Sequence, residues 1–515
     1  MSSGVTLPSD SNQALGIGQF AIDFLAGRLG PGPSAAVLER TSLFHTDATL
    51  CGLSALALRT NAPTLLRDEA LEYPDAAGAT VFGSSHLVKA EKAVVANSSA
   101  VREWDSNGTN FGYNAALGHN AGEFGHNDYY PVVIAACQQR GLDGATALRA
   151  MVLLDEIRGR LAEVFSLNRY KIDHVVHGAI ASAAVYGALM DATPKQIESA
   201  IGMFVAHAIP WRAIRAGHQL SDSKGASAAI SAEFAVLCAE RALRGFVGPK
   251  DIFRNPESMF RQFVKTDGAS PFDLILSHSG DEFAVMGMHF KLGLYEHQSA
   301  GALQGVIGIL HSRPDLLKHG RIREIVIRAY EPAFSIIGDP AKRDPHTRQS
   351  ADHSMVYIVA TLLRKAIEAA DEVASASSTD ELWKRLMLTP YDYAADAIHH
   401  PVTRQLMSLI HFEHGGPEYD AKYPEGIPTS VSVTDADAIP FESGLVMFPA
   451  GHSRNQIADL PGILEAKFLL HAGIATPEGQ SPAELVQRLQ RLGELSAAEM
   501  ITLYNTPLAH HEPVD

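Results

Sequence analysis

Apolar residues recur at helical spacing over most of the first 270 residues, where alanine and leucine are dense. One such stretch, Ile197 to Val205, follows Thr193 and Gln196, which have the spacing of a helix N-cap and its capping box. The stretch before it, Gly178 to Met190, is almost entirely small or apolar, which is typical of a helix buried on most sides. The pattern therefore predicts a large helical region.

The pattern changes after about Asp267. Ile322 to Tyr330 is rich in β-branched residues and predicts a strand. Thr429 to Thr434 alternates like a half-buried strand, and Asp435 to Ala438 indicates a turn into a return strand at Gly444 to Phe448. This region is therefore predicted to be α+β rather than helical.

Helical spacing returns after His452. The predicted fold is mainly α: a large all-helical domain with a smaller inserted α+β lid domain. The predicted boundaries are 1–275 for the first part of the helical domain, 276–455 for the α+β lid and 456–515 for the helical return. The length of 515 residues is sufficient for two such domains.

Charge and cysteine usage narrow the function classes. A formal net charge of −16 argues against a general nucleic-acid binder, although a few convergent cations still suit a small anionic substrate. The three cysteines, Cys51, Cys137 and Cys238, lack metal-ligand or redox spacing. No signal peptide or membrane-spanning run is evident. We expect a cytoplasmic protein without metal, cofactor, nucleic-acid or membrane partners.

The stretch around Lys224 is the most informative for chemistry. This lysine directly precedes a run of small residues that predicts a packed helix, where it is a candidate anion-binding group. Together, Arg212, Arg215, His218 and Lys224 place four cationic or potentially cationic groups in a short span, which suits a polycarboxylate. The alternative is a solvated lysine in a loop before a helix.

A loop rich in Gly and Asn carries Asp105, Thr109, His119 and His126, a mixture that occurs in functional loops but that turn chemistry alone also explains. His174 directly precedes the predicted small-residue helix, where it is either a base or a capping or core hydrogen-bonding group.

Further candidates lie beyond residue 288. Lys291 comes shortly before Tyr295-Glu-His-Gln-Ser. His353 and Tyr357 are four residues apart and are predicted to share a helix face. The sequence has no His-Glu-x-x-His motif, phosphate-binding Gly loop or Gly-x-Ser-x-Gly elbow, which weakens metal, nucleotide and serine-hydrolase interpretations.

Taken together, these segments resemble the 2-methylcitrate dehydratase (MmgE/PrpD) family, which also contains cis-aconitate decarboxylases and an iminodisuccinate epimerase. The similarity rests on motifs that occur in the family's order, namely Arg102-Glu-Trp-Asp105-Ser-Asn-Gly-Thr109, Gly125-His126-Asn-Asp, Asp173-His174-Val, Ser223-Lys224-Gly-Ala-Ser-Ala-Ala, Lys291 with Tyr295-Glu-His-Gln-Ser, Asp352-His353-Ser-Met-Val-Tyr357 and Phe448-Pro-Ala-Gly451-His452-Ser-Arg. The order of so many motifs makes the resemblance specific.

The resemblance implies a large helical domain with an α+β lid, a homodimer, and an active site between the domains that uses no metal or cofactor. Carried over by motif, the site consists of Asp105, Thr109, His126, Lys224, Lys291 and Tyr357, with His174 as a weaker match and His119 competing with His126.

Departures from the family pattern fall in one loop. Gly108 and Asn127 replace family residues, and Asn114 to Phe124 lengthens the loop. These departures affect the substrate expected, not the family.

The resemblance implies a cofactor-independent lyase that dehydrates a small tricarboxylate. The expected substrate-binding residues are Thr109, Lys291, His174, Arg215, His218 and His353. Lys224 is expected to be catalytic: with Lys291 it binds carboxylates and stabilises the enediolate-like charge that forms when a proton leaves. His126 is the expected acid or base, Asp105 its orienting partner or the base itself, and Tyr357 the group that protonates a leaving hydroxyl or holds it.

Three alternatives stay open. Two are other reactions: decarboxylation of a cis-aconitate type of substrate, and epimerisation or isomerisation of a small dicarboxylate. All three reactions develop charge next to a carboxylate, so the residues alone do not separate them. The third alternative is a carboxylate-binding protein on the same scaffold.

Overall fold

The computed structural model describes residues 4–215, 219–318 and 320–514, and in them the chain is mainly α, as predicted. The helices are α1 (Gln13–Leu25), α2 (Ala35–Ala57), α3 (Asn61–Leu71), α4 (Ala90–Glu103), α5 (Tyr130–Arg140), α6 (Gly144–Val164), α7 (Val175–Leu189), α8 (Pro194–His207), α9 (Asp222–Leu243), α10 (Met259–Phe263), α11 (Ala300–Ser312), α12 (Glu331–Ile336), α13 (Arg348–Ala351), α14 (Met355–Glu368), α15 (Ala370–Ser375), α16 (Thr379–Leu386), α17 (Ala395–Ile398), α18 (Pro401–Met407), α19 (Pro417–Asp420), α20 (Leu460–Ala475), α21 (Pro482–Gln490) and α22 (Ala497–Thr502).

Local sequence signals explain how the central helices begin and pack. The capping box predicted at Thr193 is confirmed, since its side chain accepts from the Gln196 backbone and the Gln196 side chain accepts in return. The predicted small-residue helix is α7, which is buried along nearly its whole length. Helix α9 packs against α4, α7 and α8, so its first turn lies deep in the helical part of the molecule.

The strands are short and lie mostly outside the helical core. They are β1 (Gly4–Leu7), β2 (Pro74–Thr80), β3 (Leu87–Val88), β4 (Thr109–Asn110), β5 (Gly125–His126), β6 (Leu274–Ser277), β7 (Ile322–Ala329), β8 (Ile410–His414), β9 (Thr429–Asp435) and β10 (Pro440–Glu442). The largest sheet has the order β10-β9-β7-β8, with β7 and β8 parallel and the other pairs antiparallel. The predicted strands at Ile322 and Thr429 are confirmed, and β9 shows the predicted alternation of burial.

The predicted return strand at Gly444 to Phe448 is wrong. Asp435 Oδ1 accepts hydrogen bonds from the backbone of Asp437 and Ile439, which closes a tight turn and starts β10 already at Pro440. The later segment makes only an isolated bridge, between Val446 and Thr429. The turn at Asp435 therefore determines which residues pair with β9, and the apolar residues from Gly444 to Phe448 do not.

The proposed division into domains rests on the sequence, and one boundary falls within a strand. The boundary at 275/276 lies inside β6, which pairs with β1 near the start of the described chain. The large sheet lies within 276–455, and α20, beyond that segment, packs against α2. The three-segment division stays a prediction.

Among the described residues, no helix has both the length and the apolar character that crossing a bilayer requires. The expected cytoplasmic location stays a prediction.

Candidate active site

Asp105 is the centre of a buried cluster of charged side chains. It lies two residues after the end of α4 and is fully buried. Arg102 Nη1, from the last turn of α4, lies 3.0 Å from Asp105 Oδ1, and Lys291 Nζ contacts the same oxygen. These cations outweigh the effect of burial and hold the pKa of Asp105 well below its usual range.

Lys224 lies in the first turn of α9 and is 1% exposed, so the alternative of a solvated loop lysine is wrong. Its Nζ atom donates to both oxygens of Asp352, at 2.8 and 2.9 Å, and lies 3.7 Å from Asp105 Oδ2. Burial lowers the pKa of Lys224, although the two carboxylates oppose this effect. Arg102 Nε also lies 3.8 Å from Asp128 Oδ1, so the three cations (Arg102, Lys224 and Lys291) face three buried carboxylates.

His353 connects this cluster to a cavity. Its Nδ1 atom lies 2.8 Å from Asp352 Oδ1 and 3.2 Å from Asp105 Oδ2. Carboxylates only accept hydrogen bonds, so Nδ1 carries the imidazole proton and Nε2 is the basic nitrogen. Burial lowers the pKa of His353 to about 3, so the ring is neutral at ordinary pH.

The predicted shared helix face of His353 and Tyr357 is wrong. The Ser354 side chain accepts from the Tyr357 backbone as N-cap, so α14 begins at Met355 and His353 precedes it. Tyr357 donates its hydroxyl to the Asp392 carbonyl oxygen at 2.6 Å, which turns it away from the charged cluster.

A cavity of about 40 Å³ lies against His353. Its lining residues come from both the helical and the α+β parts of the chain and are Arg102, Phe124, His126, His174, Arg212, Arg215, Glu296, Gln298, Ile336, Lys342 and His353. The cavity lining does not include Asp105, Lys224 or Lys291. Asp105 contacts Arg102 and His353, which do line the cavity, and both lysines contact Asp105, so all three residues lie behind its wall. The prediction that the two lysines bind substrate stays a prediction, and their ammonium groups are already occupied by carboxylates.

His126 and His174 both line this cavity, and their rings contact each other edge to face with centres 5.1 Å apart. His126 Nε2 lies 3.4 Å from Arg102 Nη2, which donates to it. His174 occupies the N-cap position of α7, and its Nδ1 lies 3.3 Å from Asp173 Oδ1. Burial holds the pKa of both imidazoles well below the usual range, so both are neutral.

The remaining predicted residues have different surroundings. Thr109 Oγ1 donates to the Gly125 carbonyl at 2.9 Å, between β4 and β5, and does not line the cavity. His119 Nδ1 lies 3.0 Å from Glu163 and is also absent from the cavity wall. Arg215 lines the cavity, but its guanidinium is paired with Asp173. His218 lies outside the described residues.

Glu296 and Lys342 line the cavity but were not among the predicted site residues. Burial raises the pKa of Glu296 to about 7, and burial lowers the pKa of Lys342 to about 8. Glu296 lies in the Tyr295-Glu-His-Gln-Ser segment that the sequence had indicated, so a signal existed for it. Lys342 lies in a short turn of the α+β part that carries no motif.

Asp105, Asp352 and His353 bring ligand-type atoms within 4.8 Å of one another. The carboxylate oxygens of this trio are held by Lys224 and Lys291. The expectation of a site without metal or cofactor stays a prediction.

A larger cavity of about 380 Å³ lies elsewhere, along the lengthened loop and α6. Its arginines are matched by acids: Arg158 lies 2.6 Å from Asp155, and Arg454 is paired with Glu425. It therefore has no surplus positive charge for a polycarboxylate, unlike the smaller cavity.

Comparison with known proteins matches this sequence to one family. The MmgE/PrpD N-terminal domain matches residues 25–271 and the MmgE/PrpD C-terminal domain matches residues 296–491. The chain therefore belongs to the MmgE/PrpD family, as the sequence motifs predicted.

Several relatives carry dehydratase names. The chain is 26% identical to 2-methylcitrate dehydratase, mitochondrial, of Yarrowia lipolytica over 75% of this chain and 72% of that protein. It is 24% identical to 2-methylcitrate dehydratase of Escherichia coli over 69% of this chain and 70% of that protein. It is 24% identical to alkylcitrate dehydratase phiI of a fungal species, over 65% of this chain and 62% of that protein. The predicted enzyme class, a carbon–oxygen lyase, is confirmed by these matches.

Proposed function

We propose that the protein dehydrates a small hydroxy-tricarboxylate of the 2-methylcitrate type. The observation that carries this proposal is His353, whose Nδ1 faces two carboxylates while the ring lines a cavity rich in cations. An imidazole oriented in this way is a proton acceptor, and the cations around it suit a substrate with several carboxylates. The dehydratase names of the relatives support the same reaction class.

In the proposed reaction, His353 Nε2 removes the proton from a carbon next to a substrate carboxylate. The electron pair of that bond forms the carbon–carbon double bond as the hydroxyl leaves the neighbouring carbon. The hydroxyl takes a proton from an acid and departs as water. The products are an unsaturated tricarboxylate and one water molecule. His353 is left protonated and the acid ionised, and proton exchange with solvent restores both groups, so atoms and charges balance.

In this proposal the cations that line the cavity stabilise the charge that develops on the substrate carboxylate. In this proposal Arg102 acts at the cavity, while Lys224 and Lys291 act as positioning residues by neutralising Asp352 and Asp105. The sequence had favoured His126 for the acid–base role. Its Nε2 accepts from Arg102, so we propose that it orients this guanidinium.

Glu296 is the proposed acid for the leaving hydroxyl. It lines the cavity, and burial raises its pKa to about 7, so it carries a proton near neutral pH. We propose Glu296 rather than Tyr357 for this role, because the Tyr357 hydroxyl already donates a hydrogen bond to the Asp392 carbonyl.

Product analysis tests the reaction. The purified protein is incubated in heavy water with 2-methylcitrate, citrate, cis-aconitate and small dicarboxylates, and the products are followed by NMR and mass spectrometry. We expect an alkene with loss of water from a hydroxy-tricarboxylate. Carbon dioxide release without dehydration, proton exchange alone, or binding without turnover would instead indicate the decarboxylase, the epimerase or the binding protein.

A histidine pair tests the base. Replacing His353 by Gln is expected to lower kcat by about 10²- to 10⁴-fold, the range typical of a lost acid–base group. His346→Gln is the matched control, because that ring is 54% exposed and does not line the cavity. Equal kcat values for the two variants would exclude His353 as the base.

The homodimer that the family resemblance implies is part of the proposal. Its test is the molar mass of the purified protein in solution.

A further inference from the structure

Arg212 and Lys342 are the unpaired cations of the small cavity. Both line it, and no described residue forms a hydrogen bond or ion pair with either side-chain charge. The neighbouring cations differ: Arg102 is matched by Asp105, and Arg215 by Asp173. The cavity therefore has two positive charges that no protein acid neutralises by direct contact.

Leaving these charges unmatched is unfavourable. Lys342 is only 8% exposed, and lysine is rarely so buried without a partner. Burial, with a smaller effect from the nearby charge of Arg212, lowers its pKa to about 8, while Glu296 opposes both effects. Two like charges that face one cavity attract an anion into the space between them.

The two cations come from distant parts of the chain and are held by their backbones. Arg212 is in a turn after α8, where its backbone N–H donates to the Lys171 carbonyl at 2.8 Å. Lys342 ends the turn Pro340–Lys342, whose first turn is capped by the Asp339 side chain. A guanidinium binds a carboxylate through two parallel hydrogen bonds, and an ammonium adds a point charge.

We propose that Arg212 and Lys342 form a subsite for a substrate carboxylate that takes no part in bond breaking. This subsite is separate from the Asp105–Lys224–Lys291 cluster, whose lysines are neutralised by protein acids. The inference rests on the proposed function, since it assigns the third carboxylate of a tricarboxylate. It makes this pair the group that distinguishes tricarboxylates from dicarboxylates.

Binding measurements with unreactive acids test the subsite. Propane-1,2,3-tricarboxylate has no hydroxyl to lose, and glutarate lacks the third carboxylate, so calorimetric titration of the full chain reports binding without turnover. We expect Lys342→Gln and Arg212→Gln each to raise the Kd for the tricarboxylate by about ten- to hundredfold, as for a lost charge-assisted contact. The Kd for glutarate should change much less.

Arg343→Gln is the matched control, because Arg343 follows Lys342 directly but is exposed and donates to the Gly338 carbonyl. This control should leave both Kd values unchanged. Lys342→Gln should also keep or raise Tm, since it removes a buried unmatched charge, so loss of folding would not explain weaker binding.

The outcomes separate the two proposals. Dehydration by the wild-type protein together with unchanged tricarboxylate affinity in both variants would overturn the subsite and leave the proposed function in place. Tricarboxylate binding that depends on Arg212 and Lys342, without dehydration of any acid tested, would support the subsite and overturn the reaction. An equal loss of affinity for glutarate and the tricarboxylate would overturn the assignment to the third carboxylate.

Discussion

Lys224 and Asp352 form a buried bidentate ion pair, with Nζ 2.8 and 2.9 Å from the two carboxylate oxygens and neither side chain more than 2% exposed. The partners are 128 residues apart, so the pair ties the first turn of α9 to the segment that carries His353. The lysine therefore supports both the fold and the orientation of the imidazole.

Lys224→Met should leave Asp352 buried without its main cation. Removing one partner of a buried ion pair costs about 3–5 kcal/mol, so we expect the free energy of unfolding in urea to fall by about that amount. Lys195→Met, at an exposed lysine on α8, is the control and should change it little. The double variant Lys224→Met with Asp352→Asn should recover part of the lost stability. A Lys224→Met protein as stable as the Lys195→Met control would contradict the stabilising role of Lys224.

The two loop histidines should differ in their effect on turnover. His126 lines the cavity and accepts from Arg102, whereas His119 pairs with Glu163 away from it. We expect His126→Gln to lower kcat/KM by about 10²-fold or more, the lower range for groups that act on proton transfer or its partners. For His119→Gln we expect a loss of kcat/KM of less than about fivefold. His119 lies away from the cavity, and its partly exposed pair with Glu163 contributes at most about 1 kcal/mol. Similar losses in both variants would refute the distinction.

Tyr357→Phe should affect stability rather than turnover. The hydroxyl donates to the Asp392 carbonyl inside the α+β part, and losing such a hydrogen bond costs about 1 kcal/mol. Thermal unfolding and steady-state kinetics check this, with Tyr391→Phe as the control because Tyr391 is 49% exposed. A large fall in kcat for Tyr357→Phe would return this residue to the catalytic role that the sequence had indicated.

The fold class and the family were predictable because they depend on local patterns. Helical spacing, the capping box at Thr193 and the alternation in β9 are local signals, and the structure confirms them. The errors also have local causes: the Ser354 N-cap placed His353 before its helix, and the Asp435 turn started β10 early.

The role of each cation was not predictable, because it depends on partners far away in sequence. A lysine motif marks Lys224 but does not reveal that Asp352, 128 residues later, neutralises it. Lys342 lies in no motif, and its importance comes from burial without a partner. Sequence patterns therefore indicated the neighbourhood of the site but not which charges remain available for a substrate.

The pH dependence of turnover should reflect Glu296. Burial, and the nearby charge of Asp105, raise its pKa to about 7, while Lys291 and Lys342 oppose the increase. The other charged or titratable groups that line the cavity are Arg102, His126, His174, Arg212, Arg215 and His353. If protonated Glu296 supplies the leaving hydroxyl with its proton, kcat is high below about pH 7 and falls as pH rises through that value.

His353 should not add a second titration to the pH profile of kcat in this range, since its pKa is lowered to about 3 and the ring stays neutral.

The raised pKa of Glu296 also affects the stability of the fold. The native state holds this proton more tightly than the unfolded chain, in which the glutamate has its ordinary pKa of 4.5. The contribution of this proton to stability is therefore present at low pH and is lost as pH rises through about 7.

Glu123 provides the control for this profile. Burial raises its pKa to about 7 as well, but its carboxylate accepts from the Phe124 and Asn168 backbones and does not line the cavity. Measured between pH 5 and 9, kcat should keep its fall near pH 7 in Glu123→Gln. In Glu296→Gln it should be low and nearly independent of pH, because the amide has no proton to give. If the fall in kcat near pH 7 persists in Glu296→Gln and vanishes in Glu123→Gln, the titrating group is Glu123. That result would exclude Glu296 as the proton donor.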